Sequence, residues 1–226
     1  MKNILKILVS FVVIFVAFMP AFSDQFQFSE QAQPQVLDNT KTPKIGVTAG
    51  ANYSNLYVSE VDSENAKVGF HAGLFFTIPL SERIVLQPEL LYSTKGSELT
   101  YTTPVSGTAS LSLNYIDLPI MFIMYLSNNL NIQIGPYISY LTSVSVENKS
   151  GTSSFAEQLS LSNFQSFDYG AIAGIEYATD FFSIYLKYNY GLLNVGVPQE
   201  FFGTTYSFPN AKNSVAQLGA SISFGK

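Results

Sequence analysis

Six charged residues stand out because they interrupt otherwise apolar runs at alternating positions: Glu89, Lys95, Asp117, Asp168, Glu176 and Lys187. Two chemistries could follow. Acids and lysines on one inner surface can pair into an ion-pair network that plugs and fixes a structure, or they can line a polar path for an ion or a small solute. Burying a charge without a partner is costly, so the paired arrangement is expected of a narrow interior. His71 is the single histidine. A histidine beside a serine and a carboxylate or amide could serve acyl transfer on the surface of a membrane hydrolase. No nucleophile motif accompanies His71, which sits between Gly69 and Gly73, so a structural histidine is the expected role. No residues are expected to be catalytic or to hold a cofactor or a metal. Cysteine is absent, which removes thiol catalysis, thiolate metal sites, disulfides and a lipid anchor on cysteine.

These residues must be positioned by strands. In Phe182–Asn194, Phe182, Ile184, Leu186, Tyr188, Tyr190 and Leu192 alternate with Ser183, Tyr185, Lys187, Asn189 and Gly191. A period of two is strand and not helix. Leu130–Leu141 repeats the pattern, with Gln133, Gly135, Tyr137 and Ser139 on the polar side. The runs reach about 11 residues, against about 5–6 for strands of soluble proteins and about 9–11 for tilted membrane strands. The outward tyrosines, among them Tyr53, Tyr92, Tyr140, Tyr177, Tyr188 and Tyr190, suit a membrane–water girdle. Inward glycines such as Gly135, Gly170, Gly174, Gly191 and Gly219 suit close packing around large inward residues such as Tyr137 and Tyr185.

Composition agrees. The chain has 226 residues, a formal charge of −5, 12% charged residues and 15% aromatics. Soluble domains carry about 25% charged residues. There is no basic stripe, so no nucleic-acid partner is expected.

Met1–Ser23 reads as a signal peptide: Lys2 and Lys6, an apolar run from Ile7 to Met19, then Ala21-Phe22-Ser23. Its removal would take the formal charge from −5 to −7, because it holds two lysines and no acids. Asp24–Pro43 is rich in Gln and Pro and reads as a flexible periplasmic tail. From Lys44 onward eight strands are expected: Ile45–Asn55, Val68–Pro79, Arg83–Ser97, Ser110–Leu126, Leu130–Val144, Ser166–Ala178, Phe182–Asn194 and Asn213–Phe224. In the fourth, Leu113 and Tyr115 share a side with Asp117 and Met121, and a bulge or twist near Asp117 is expected to switch the faces. Short turns alternate with long polar connections (Leu56–Lys67, Glu98–Ala109, Ser145–Gln165 and Val195–Lys212). Outer-membrane barrels sort their loops in this way, with an even strand count and both ends in the periplasm. Residues 44–226 are therefore expected to form one all-β, eight-stranded, antiparallel, up-and-down transmembrane β-barrel of the Gram-negative outer membrane. Phe201, Phe202, Tyr206 and Phe208 make the last loop aromatic, either as strand extension or as a contact for a partner protein or glycan.

Several segments in order resemble the PorT-like, small porin-like outer-membrane barrels of Bacteroidota. They are Gly46–Leu56, Gly69–Leu80, Leu86–Gly96, Asn114–Phe122, Ile134–Leu141, Asp168–Tyr177 and Tyr188–Val195. The resemblance implies location and shape more than mechanism, with PorT-like members tied to secretion across the outer membrane. The function expected is a non-enzymatic structural or interaction role in the cell envelope, in protein secretion or assembly, with a small-solute porin and an outer-membrane lipid hydrolase as the alternatives. It implies outer-membrane lipid and lipopolysaccharide, the barrel-insertion machinery, and envelope or secretion proteins as partners. Such barrels commonly end on an aromatic residue, whereas here Gly225 and Lys226 follow Phe224.

Overall fold

The computed structural model describes residues 42–57, 65–101, 107–150, 153–158, 164–195, 199–201, 204–206 and 212–224. The expected leader, and the expected tail up to residue 41, lie outside the described residues. Eleven strands are present among the described residues. Eight build the barrel: β1 (Lys44–Tyr57), β2 (Asn65–Pro79), β3 (Ile84–Tyr101), β4 (Gly107–Tyr125), β5 (Leu130–Ser150), β7 (Phe167–Ala178), β8 (Phe182–Asn194) and β11 (Lys212–Phe224). Every neighbouring pair is antiparallel. The order β4-β3-β2-β1-β11-β8-β7-β5 closes on itself through β4 and β5. The seam between the first and last strands runs from Ile45↔Phe224 to Tyr57↔Lys212.

The outside and inside explain why these residues form strands. On β8, Leu186 is 51% exposed while its neighbour Lys187 is 4% exposed. A soluble sandwich buries its apolar face and wets its polar one. Here the order is inverted on strand after strand, as it must be when lipid surrounds a polar interior. Closure also leaves no barrel strand with a free edge, as a lipid surround requires. Phe70 packs on Tyr92 with ring centroids 5.9 Å apart, and Tyr140 on Phe167 at 5.3 Å, so the outward aromatics touch across strands.

Three short turns, at Leu80–Arg83, Leu126–Asn129 and Thr179–Phe181, close on backbone bonds such as Leu80 N to Ile84 O at 2.9 Å and Leu126 N to Leu130 O at 2.9 Å. Lys44 pairs with Thr77 and Phe224 with Ile45, so the barrel begins and ends at this same rim.

Two expectations need correction. The faces of β4 do not switch: Leu113, Tyr115, Asp117, Met121 and Ile123 are all buried on the inner side. The irregularity lies on β5 instead, where the register steps from Asn114↔Ser143 to Tyr115↔Leu141 and leaves Thr142 as the extra residue. That step lets both Leu141 and Val144 face inward, as a bulge does by re-aiming the side chains beyond it.

The long connections are also more regular than expected. β3 continues to Tyr101, β4 starts at Gly107, and β5 runs on to Ser150 and turns into β6 (Ser153–Gln158). Serine, threonine and valine alternate there, which suits a ladder that continues past the membrane. Within Val195–Lys212, β9 (Gln199–Phe201) and β10 (Thr204–Tyr206) form a small hairpin in which Thr204 pairs with Phe201 and Tyr206 with Gln199. Phe202 and Phe208 lie outside the described residues. Gly96 has a φ of 148°, and a β-carbon there would lie 2.0 Å from the carbonyl oxygen of Leu111, so that contact between β3 and β4 admits only glycine.

Candidate functional site

The interior of the barrel is the only place where the singled-out charges meet. Inward parity places all six there, and each is no more than 8% exposed. They separate into distinct groups.

Lys187 on β8 reaches across the lumen to Glu89 on β3, with Nζ 2.8 Å from Oε1. Gln87 donates from Nε2 to the same oxygen at 2.9 Å, and the Lys187 ammonium lies 4.4 Å from the centre of the Tyr185 ring. Lys95 on β3 pairs with Asp117 on β4, at 3.0 Å to Oδ2 and 3.1 Å to Oδ1. Its ammonium also donates to Ser139 at 3.3 Å and sits between the Tyr115 and Tyr137 rings, 4.8 and 5.0 Å from their centres. A buried lysine therefore has a carboxylate, a hydroxyl and two ring faces around it, which together replace its water.

Among the described residues, Asp168 and Glu176 on β7 form no salt bridge with a lysine. Asp168 accepts from Tyr137 Oη at 3.0 Å and from Asn213 Nδ2 at 2.9 Å, both on Oδ2. Glu176 accepts from Asn131 Nδ2 at 3.1 Å. Tyr137→Phe removes the Tyr137 donor to Asp168 and leaves Asn213. A hydrogen bond to a charged group contributes about 1.5–3 kcal/mol. The variant is therefore expected to lose stability of that order, read as a lower urea unfolding midpoint, while the folded gel mobility stays unchanged.

His71 on β2 joins these groups. Its Nδ1 is 2.7 Å from Asn52 Oδ1 and its Nε2 is 2.6 Å from Tyr185 Oη. Asn52 on β1 binds Ser93, Phe70 O and Thr94 O through Nδ2, and accepts from Gln217 on β11 through Oδ1 at 3.0 Å. One amide thus ties β1, β2, β3 and β11. Asn52, Asn213 and Gln217 hold the site together, yet the charge pattern did not single them out. Their only sequence signal is a polar residue at an inward position.

Towards the loop rim the lumen holds an apolar plug of Leu113, Tyr115, Leu141, Val144, Phe164 and Val195, all buried. Phe164 is held there from outside the barrel strands, since its neighbour Gln165 donates to Val195 O at 2.9 Å and Ser166 O accepts from Leu141 N at 2.8 Å. At the short-turn rim a cavity of about 90 Å³ remains, lined by Gln87, Asn131, Glu176, Ser183 and Ser221 among others. Asn131 Oδ1, Asn189 Oδ1, Asp168 Oδ1 and both amide atoms of Gln133 are buried with hydrogen-bonding capacity that protein atoms do not use. No group of three or more metal-binding side chains occurs among the described residues.

The barrel geometry can be set beside known proteins. The sequence profile of the outer membrane protein beta-barrel domain matches residues 29–196. The chain belongs to that family. It is an outer-membrane barrel protein. Among solved structures, Neisserial surface protein A superposes with a TM-score of 0.50 at 13% identity, over 81% of this chain and 100% of that one. The attachment invasion locus protein Ail of Yersinia pestis, in complex with the heparin analogue sucrose octasulfate, gives 0.45 at 12% identity, over 80% and 99% of the two chains. OprG from Pseudomonas aeruginosa gives 0.45 at 12%, over 82% and 98%. No curated protein matches the chain.

Proposed function

We propose that this outer-membrane barrel is a closed, non-enzymatic scaffold of the cell envelope, PorT-like, which serves protein secretion or assembly through the segments outside the membrane. The observation that carries this reading is the filled lumen. The Lys187–Glu89 pair crosses it, the Lys95–Asp117 pair fills it beside the neighbouring strands β3 and β4, and an apolar cluster occupies it towards the loop end. An eight-stranded barrel has an interior just wide enough for side chains to fill. What remains for partners is the rim: the strands of β3 to β6 that continue past the membrane, the β9–β10 hairpin with Phe201 and Tyr206, and residues 24–43 on the periplasmic side after removal of residues 1–23 as a leader. The lumenal charges act, in this reading, as structural pairs that hold the strands in register. A hydrolase would need His71 on the lipid face beside a serine nucleophile, whereas His71 points inward with both ring nitrogens engaged.

The test is single-channel recording on protein whose gel mobility shifts on boiling. A folded, heat-modifiable band with no stable conductance steps is the expected result. Stable steps from that same sample would replace the scaffold by a small-solute pore.

A further inference from the structure

We propose that His71 is an internal proton-binding site, reached from the short-turn mouth of the barrel along the hydroxyls of Ser221, Thr48 and Tyr185. The donors and acceptors around it fix the direction of every bond. Both hydrogens of Asn52 Nδ2 are taken by the oxygens of Ser93, Phe70 and Thr94. The atom facing the histidine is Oδ1, which also accepts from Gln217. An amide oxygen can only accept, so His71 Nδ1 carries the hydrogen and Nε2 is the free acceptor. Tyr185 must then donate to Nε2, across 2.6 Å. Having spent its only hydrogen, Tyr185 accepts from Thr48 at 2.7 Å, and Thr48 accepts from Ser221 at 3.0 Å. Ser221 lines the cavity at the short-turn rim. The wire therefore starts at the short-turn opening, while the apolar plug occupies the lumen towards the loop end.

A proton can move along this wire without any side chain changing place. A hydrated proton at the mouth gives its hydrogen to Ser221 Oγ and becomes water. Each hydroxyl then gains one hydrogen and passes its own inward, and His71 Nε2 ends with an N–H bond and a positive ring. The reversed wire has somewhere to end. Nε2–H donates to Tyr185, Tyr185 donates to Thr48, and Thr48 turns to the Ala220 carbonyl oxygen, 3.3 Å away. The charged and titratable groups that face His71 are Tyr185 and Lys187 on β8, Glu89 and Lys95 on β3, and Asp117 on β4; β1 and β11 contribute the neutral Thr48, Asn52 and Gln217.

Because His71 is the single histidine of the chain, protein labelled with ¹⁵N-histidine gives the spectrum of this one ring. Folded protein in lipid nanodiscs is expected to show the Nδ1–H tautomer at neutral pH, and to take up a proton reversibly on a jump from about pH 8 to about pH 3, a range that spans the titration of buried as well as exposed histidines. Tyr185→Phe keeps Asn52 against Nδ1 and removes the last hydroxyl of the wire. It is expected to keep the tautomer and slow proton uptake by about a hundredfold, the low end for a positioned proton-transfer group. Thr48→Val breaks the wire one step earlier, keeps Tyr185 in place, and is expected to slow uptake in the same way. An Nε2–H tautomer, a ring that stays neutral until the barrel unfolds, or variants that take up the proton as fast as the parent would each overturn the proposal.

Discussion

Replacing Lys187 by Met is expected to lower the stability of the folded barrel by about 3–5 kcal/mol, the cost of leaving one partner of a buried ion pair unpaired. Lys187 and Glu89 are 4% and 3% exposed, so neither can recover its lost partner from bulk water. Gln87 would still donate to Glu89 at 2.9 Å, but that bond, which contributes about 1.5–3 kcal/mol, is already present beside Lys187 in the parent protein and does not offset the loss. The contact between the ammonium and the Tyr185 ring, 4.4 Å from its centre, disappears with it. Removing both charges has a different outcome, because two apolar groups of similar volume can replace a buried pair at little cost. Lys187→Met combined with Glu89→Leu is therefore expected to recover most of the loss. Urea titrations followed by the folded gel band read both variants. An unchanged midpoint in the single variant would show that Lys187 does not stabilise the barrel through Glu89.

The alternation that reveals the barrel in the sequence has a physical cause. Lipid accepts only apolar side chains, and a narrow lumen accepts polar ones that can pair, so successive residues meet opposite solvents. Where both conditions hold, as on β7 and β8, the expected strands and the observed ones differ by one residue at most. β4 breaks the pattern because its inner face carries Leu113, Tyr115 and Met121, which fill the lumen as apolar bodies. Apolar residues on both faces look like a change of face. The bulge that the sequence suggests near Asp117 belongs to Thr142 on the neighbouring strand.

Who meets whom inside was not legible. Lys187 and Glu89 are 98 positions apart, and Gln217 and Asn52 165 apart. Such meetings depend on the stagger of eight strands, which alternation alone does not encode. A polar residue at an inward position reads the same whether it is a hub, as Asn52 is, or lines the mouth, as Ser221 does.

Gly219→Val is expected to destabilise the barrel by about 3 kcal/mol or more, the sum of an overpacked site and of buried hydrogen bonds left without partners. A β-carbon at position 219 would lie 2.4 Å from Tyr185 Oη, 2.5 Å from its Cζ and 2.9 Å from the carbonyl oxygen of Ala49. Two of these contacts are with a ring that cannot bend. Tyr185 would have to swing away and give up His71 and Thr48 together. The third contact presses on β1 at the seam where Gly50 faces Gly219 and the barrel closes. A shorter side chain at 185 relieves the first two contacts and leaves the third. Gly219→Val with Tyr185→Leu is therefore expected to be more stable than Gly219→Val with Tyr185 intact, although Tyr185→Leu alone is destabilising. That reversal of sign is a coupling that independent sites do not show. Additive losses in urea titrations of the two single variants and the double variant would mean that glycine is needed at 219 for the seam with β1, and not to make room for Tyr185.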